Sequence, residues 1–323
     1  MADAVEIVFH RAARALVPDR THVLVAVSGG GDSVALLHLL HRFASRRRID
    51  LTVAHLDHSL RRGSTADRAF VERLATSLEI PCLATRRDVR AAGRKDESPE
   101  EAARRVRRQF LGDVAHTCGA SLIATGHTLD DQAETILMRL ARGTGPSSLA
   151  AMTPAGPGPF VRPLLSVERA DLRAWLRRKR FRFREDPSNA SLAFDRNRVR
   201  RLVIPVLAKA LNPRAARHVV EAAARLREDA ALLDALSRDR FAAIATRRGT
   251  ALALDTKVLA ALPQPLAARV ARIALEDAGC DPRRISTRHV AALLALAAGP
   301  TDATLNLPGG VRVGTRRGLL EFA

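Results

Sequence analysis

The sequence predicts an α/β protein, a parallel sheet followed by a smaller, mostly helical domain. Three observations lead there. Short apolar runs alternate with helical patterns as far as Thr125. A glycine-rich turn joins the first apolar run to a helix. After Pro213 the texture becomes alanine-rich and helical. Strands alternating with helices build parallel sheets, and such sheets bind ligands outside the carboxyl ends of their strands.

The elements follow in order. His22–Val27, Leu51–Leu56, Pro81–Thr85 and Ser121–Thr125 read as strands, and Asp32–Phe43 and Ala66–Leu78 as helices between them. Met152–Phe160, MTPAGPGPF, reads as a loop because proline and glycine punctuate it. Arg169–Arg184 is strongly basic, and Arg214–Ala245 forms a long alanine-rich helix. The chain closes on LNLPGGVRVGTRRGLLEF, where Pro-Gly-Gly and Gly314 separate β-like runs. The expected boundary near residue 212 divides a sheet domain, 1–212, from a small domain, 213–323.

A length of 323 residues suits two domains, and 47% hydrophobic residues suffice for a core. No apolar run reaches the roughly 18 residues of a membrane span, and the N-terminus lacks a basic segment leading into an apolar one. A cytoplasmic protein without a membrane partner is expected. Fifty-three basic residues oppose 34 acidic ones, for a net charge of +19. Lysine contributes only Lys95, Lys179, Lys209 and Lys257. Residues 1–212 carry +13 and the rest +6. Such an excess points to a polyanionic partner, nucleic acid above all. Cys82, Cys118 and Cys280 form no CxxC pair, which argues against a disulfide framework and a cysteine-ligated metal.

The strongest local signal is VAVSGGGDS, Val25–Ser33. A buried strand runs through Ser28, Gly29, Gly30, Gly31, Asp32 and Ser33 directly into a helix. Glycines permit a tight turn and close approach of a ligand, and the free N–H groups at the helix start seat phosphate. The loop has no GK[ST] and is not GxGxxG.

Three further constellations fall near the same sheet edge. In VAHLDHSLR, strand alternation sets Val53, His55 and Asp57 on one face. In SPEEAARRVRR, Ser98 and Glu101 make a capping box, and Arg104 and Arg107 share a helical face. In ATGHTLDDQAET, Gly126 and His127 lead into a helix whose apolar stripe is Ala133, Ile136, Leu137 and Leu140. His127, Asp131 and Glu134, at i, i+4 and i+7, share a face if the helix includes its entry loop. The acids there suit Mg²⁺ or a substrate ammonium.

The loop Ser28–Ser33 resembles the SGGxDS motif of the PP-loop pyrophosphatases, which split ATP between its α- and β-phosphates. The whole resembles the bacterial tRNA(Ile)-lysidine synthases through SGGGDS, VAHLDHSLR, EEAARRVRRQFL, ATGHTLDDQAETILMRLARGTG, VRPLL and FREDPSNASLAFDRNRVRRLVIPVL. These segments stand in the family's order between residues 25 and 207. The resemblance implies a Rossmann-like PP-loop domain that binds adenine nucleotide, and a C–N ligase. ATP and Mg²⁺ would activate C2 of cytidine 34 in a CAU-anticodon tRNA(Ile), and L-lysine would displace AMP to form lysidine.

Residue roles follow from the same resemblance. Ser28, Gly29, Gly30, Gly31, Asp32 and Ser33 would bind the ATP phosphates, with His55, Asp57, Gly126 and His127 at the nucleotide or base. Asp32 and Asp131 would hold Mg²⁺. Asp32, Asp131, Glu134 and Arg107 would form the catalytic set. Arg104, Arg178, Arg180, Arg196, Asn197, Arg198 and Arg200 would meet tRNA. A homodimer is the candidate assembly. Arg108 stands where the family's motif has tyrosine, and Thr128 where it has a second histidine.

The rival readings are a base-thiolating PP-loop enzyme, which the scattered cysteines disfavour, and a small-molecule amide ligase, which the charge disfavours. An RNA-binding module with a dead nucleotide fold is disfavoured by the intact loop and acids. With no tyrosine and one tryptophan, Trp175, arginine planes are the expected surface for stacking on bases.

Overall fold

The computed structural model describes residues 3–57, 64–87, 97, 99–143, 149, 152–185, 191–248, 251–282, 284–299 and 303–323. His58–Arg61, Ser98 and the Asp186–Ala190 part of the FREDPSNAS segment lie outside them, and with Ser98 the proposed capping box. The chain divides into two compact units, Met1–Ala224 and Arg225–Ala323.

The first unit opens with α1 (Ala4–Leu16), capped by the Asp3 side chain on the Val5 amide, and continues β1 (His22–Ala26), α2 (Gly31–Ala44), β2 (Asp50–Asp57), α3 (Ser64–Ser77), β3 (Cys82–Arg86), α4 (Pro99–Cys118), β4 (Leu122–Ala124), α5 (Leu129–Ala141) and β5 (Phe160–Val161). After it come α6 (Arg169–Arg178), α7 (Asp195–Arg198), a π-helical turn (Val199–Val203) and α8 (Ile204–Ala210). The strands form one parallel sheet in the order β3-β2-β1-β4-β5. The order reverses between β1 and β4, and sheets of this kind bind ligands at that switch point, outside the carboxyl ends of the strands.

Strand alternation divides the core. Val23 and Val25 of β1 face a layer holding Phe9, Leu37, Leu172, Trp175 and Leu176. Leu24 points the other way, with Ile123 and Phe160, against Phe110 and Leu111 of α4. The expected strands and helices are present with ends shifted by one or two residues, as fraying ends usually are. β5 corrects the expected loop. Residues 152–159 are irregular, but Phe160 joins Val161 in an edge strand, since Ile123 and Ala124 need a hydrogen-bonded neighbour. Proline and glycine before it masked a strand of two residues.

α9 (Ala215–Ile244) contains the division between the units, twelve residues beyond the expected boundary. Its first turns belong to the first unit, where Arg217 Nε donates to Glu168 at 3.0 Å. The second unit adds β6 (Ala245–Arg248), β7 (Ala251–Asp255), α10 (Thr256–Ala261), α11 (Gln264–Asp277), α12 (Thr287–Ala298), β8 (Thr304–Asn306), β9 (Arg312–Arg316) and β10 (Leu319–Phe322). It is mostly helical, but it also holds an antiparallel sheet, β6-β7-β10-β9-β8, where only the closing β-like runs were expected. Leu252, Leu254, Val313 and Leu320 pack this sheet on Val270, Leu275 and Leu293. Gly309 and Gly310, at φ 89° and 82°, make the Leu307–Val311 turn. No helix among the described residues is long and apolar enough to cross a membrane.

Candidate active site at the carboxyl edge of the parallel sheet

β1 leads into Ser28–Gly30 and then α2. Gly29 takes φ 91°, a left-handed conformation that favours glycine. The loop is tied internally: Ser33 Oγ donates to the Gly30 carbonyl at 2.9 Å and accepts the Ser28 amide at 3.2 Å. Gly30, the N-cap of α2, supplies no side chain to the helix's free amides. Those donors and the positive helix end form an anion seat. The Arg184 amide donates to the Gly29 carbonyl at 2.9 Å, and a Cβ on Gly31 would stand 3.4 Å from Phe183. The end of the basic stretch therefore lines the loop, which its composition alone did not reveal.

α5 starts beside α2. A Cβ on Gly126 would stand 3.0 Å from the Asp32 carbonyl oxygen and 3.1 Å from the Ser33 nitrogen. Glycine at 126 thus lets two backbones meet, tighter than ordinary packing. Thr128 caps α5: Asp131 Oδ2 accepts from the Thr128 amide at 2.8 Å and from its hydroxyl at 2.9 Å. Threonine at 128 is therefore a helix cap. The helix begins after His127, so the expected single helical face for His127, Asp131 and Glu134 is corrected. His127 sits in the entry loop, its Nδ1 2.9 Å from Thr125 Oγ1.

Asp131 and Glu134 are buried and gripped by arginines. Asp131 Oδ1 accepts from Arg169 Nη2 at 2.8 Å and Arg196 Nη2 at 2.9 Å. Glu134, with no exposed surface, accepts from Arg196 Nε at 2.7 Å, Arg200 Nε at 2.6 Å and Arg169 Nη1 at 3.2 Å. Arg169 Nε reaches Asp32 at 2.9 Å, and the Arg169 amide donates to Asp130 Oδ2 at 2.7 Å. One guanidinium thus bridges the glycine-loop acid to the α5 acids. Arg169 was read only as the start of a basic stretch; its alignment with four acids was not visible in the sequence.

Buried charges need such partners. Burial would raise the Asp131 carboxyl, yet Arg169, Arg196 and the Thr128 amide bring it to about 2. Burial raises Asp32 above its ordinary value against Arg169's pull. Burial opposes charge on Arg169, but Asp131, Asp32, Glu134 and Asp130 raise it. Burial drives His127 down to about 4 against the pull of Asp131, and Arg162, Arg196 and Arg107 add to the fall. His127 is neutral at pH 7.

His55 is buried on β2 with Nδ1 2.8 Å from the Val27 carbonyl, and its Nε2 has no partner among the described residues. Asp57 is buried on the same strand. An orphaned ring nitrogen and an open anion seat fit a nucleotide. Mg²⁺ fits less well. Asp32 offers hard oxygen ligands, but both Asp131 oxygens are engaged and the Arg169 guanidinium stands between the two acids. No group of three ligating side chains occurs among the described residues.

The expected RNA contacts divide. Arg196 and Arg200 join the acid cluster. Asn197 is buried and donates to the Ser191 carbonyl at 2.8 Å. Arg198 is exposed beside Asp195. Arg178 pairs with Asp3 at the start of α1 at 2.6 Å. Arg180, at φ 56°, follows the end of α6 and lets Phe181 stack on His38 at 3.7 Å. Arg104 and Arg107 are exposed on α4.

Comparisons with known proteins agree with this geometry. A PP-loop domain model matches residues 5–207, and a TilS substrate binding domain model matches 254–320. A tRNA(Ile)-lysidine synthase of Geobacter sulfurreducens is 41% identical over 93% of this chain and 64% of its own length. Those of Leifsonia xyli and Salinispora tropica are each 38% identical, over 93% and 94% of this chain and 89% and 91% of their own. The chain thus spans less than two thirds of the Geobacter relative and most of the other two. The solved U34-tRNA thiolase NcsA of Methanococcus maripaludis shares the fold, with a TM-score of 0.60 and 18% identity over 69% of this chain and 78% of that one. By its PP-loop domain, its C-terminal domain and these relatives, the chain belongs to the tRNA(Ile)-lysidine synthase family.

Proposed function

We propose that this chain joins L-lysine to C2 of cytidine 34 in a CAU-anticodon tRNA(Ile), with ATP and Mg²⁺, releasing AMP and diphosphate. The observation that carries the reading is the pairing of an open anion seat on α2 with buried acids on α5, held together at Gly126. ATP supplies the adenylyl group that turns the cytidine oxygen into a leaving group. The α2 amides and Ser28 hydroxyl bind its phosphates, with His55 Nε2 free to accept a hydrogen bond from the nucleotide. Asp32 is the candidate ligand for Mg²⁺.

Asp131 and Glu134 receive the lysine ammonium, which competes there with the guanidinium groups of Arg169, Arg196 and Arg200. A carboxylate of this pair orients the amine and accepts the proton it loses on attack, and His127 meets the base or nucleotide. Arg107 neutralises the adenylated base. We assign catalysis to residues 1–212 and tRNA or substrate contacts to the small domain, and a homodimer is the assembly to test. The wobble base sits in a single-stranded loop and leaves its stack readily.

The test is incorporation of labelled lysine into a CAU tRNA(Ile) transcript beside elongator tRNA(Met). Label in tRNA(Ile) alone is expected. ATP cleavage without label would overturn the choice of nucleophile.

A further inference from the structure

A second cluster of arginines lies beside β5, and nothing among the described residues balances its charge. Arg162 follows β5 and is 7% exposed. Its Nη1 donates to the Thr153 carbonyl at 2.8 Å, and its Nε is buried without a partner among the described residues. The loop before β5 folds around it. The Arg162 amide donates to the Pro154 carbonyl at 2.8 Å and the Gly156 amide to the Phe160 carbonyl at 2.7 Å. A Cβ on Gly156 would stand 2.5 Å from Arg162 Nη1 and 2.8 Å from Nη2, so a side chain there would push this guanidinium aside.

Phe160 and Arg162 are two residues apart in extended chain and share a face. Arg108 of α4 stacks over the Phe160 ring, 5.0 Å from its centroid. Arg104 and Arg108 are four residues apart on α4 and share a face. Arg162 is held below the ordinary guanidinium value by burial, then by Arg104 and Arg108. A buried cation without a counter-charge is costly, and a buried donor without an acceptor calls for a missing partner.

We infer that Arg162, with Arg104 and Arg108, forms an oxyanion seat beside β5, separate from the glycine loop, that takes one phosphate group. Arginine forks match phosphate oxygens in geometry and charge. The phosphate has two sources, a nucleic-acid phosphodiester or free phosphate and diphosphate.

The test uses the full chain and two variants, R104Q/R108Q and Gly156→Ala. The first changes exposed residues and keeps the fold accessible. The second keeps every charge and only crowds Arg162. Phosphate and diphosphate binding are titrated calorimetrically at constant ionic strength. Binding of a CAU anticodon stem–loop is measured across a salt series. A free-anion seat gives phosphate binding that weakens about tenfold in both variants, with the RNA salt slope unchanged. A phosphodiester seat gives weaker RNA binding in both variants, with the log–log salt slope reduced by about one. Equal binding of phosphate, diphosphate and RNA by all three proteins would overturn the seat. The seat rests on geometry alone, so lost lysine transfer with retained anion binding would overturn only the functional reading.

Discussion

Helices α2 and α5 begin side by side at one edge of one sheet, and their first turns are built in opposite ways. α2 starts at glycine, without a side-chain cap, so its amides face outward for an anion. α5 starts at Thr128, which closes its amides with a capping box and presents carboxylates instead. The same helical end thus receives negative charge at one site and positive charge at the other. Arg169 spans the two through Asp32, Asp131 and Glu134.

Breaking the cation-receiving end has the largest effect. Glu134→Gln lowers lysine transfer by about 10²–10⁴-fold, the scale of losing an acid–base group, and strips Arg196 and Arg200 of their buried partner. Labelled-lysine kinetics beside urea unfolding checks both losses. Gly126→Ala forces the two helix starts apart at a cost of about 1–3 kcal/mol; ATP KM rises and Tm falls together. Unchanged ATP kinetics would separate the two ends functionally. Thr128→Ala removes a cap worth about 1 kcal/mol and shifts Tm by a few degrees, leaving α2 intact.

pH sharpens the contrast because the acids move in opposite directions. Asp131 sits at about 2 in the fold, below its ordinary value of 3.8. Its contribution is full above that ordinary value and is lost as pH falls toward 2. Asp32 is raised instead, so its contribution is greatest at low pH and is lost as pH rises through its folded value. His127, lowered from 6.5 to about 4, favours the fold as pH rises between those values. Urea unfolding of D131N, D32N and H127Q against the parent from pH 2 to 8 shows three distinct differences; parallel curves would remove the electrostatic account. The smallest effect concerns the basic surface. RNA affinity declines steeply with salt, whereas lysine KM, set by buried pairs, responds less.

Much of the site was legible in the sequence for local reasons. The glycine loop, the acids of α5 and the strands that deliver them depend on spacing within a few residues, and spacing is what a sequence displays. Other features were not legible. Arg169, Arg196 and Arg200 look like any basic residues, and whether each meets RNA or an acid depends on partners 35 to 137 positions away. β5 was hidden because two residues carry no period. The strands β6 and β7 were hidden because cross-strand partners, rather than local pattern, stabilise them.

The sequence by itself determined the α/β order, the open glycine turn, the charge and the family. The first three follow from backbone freedom, periodicity and composition, which need no distant partner, and the family from the resemblance of its ordered motifs. Only the tertiary structure decided that Arg169 would bridge two helix starts, that Thr128 would cap α5, and that Arg162 would be buried beside β5 without a counter-charge among the described residues. The physical reason is that a charged side chain takes its character from what packs against it, and packing joins residues far apart in the chain.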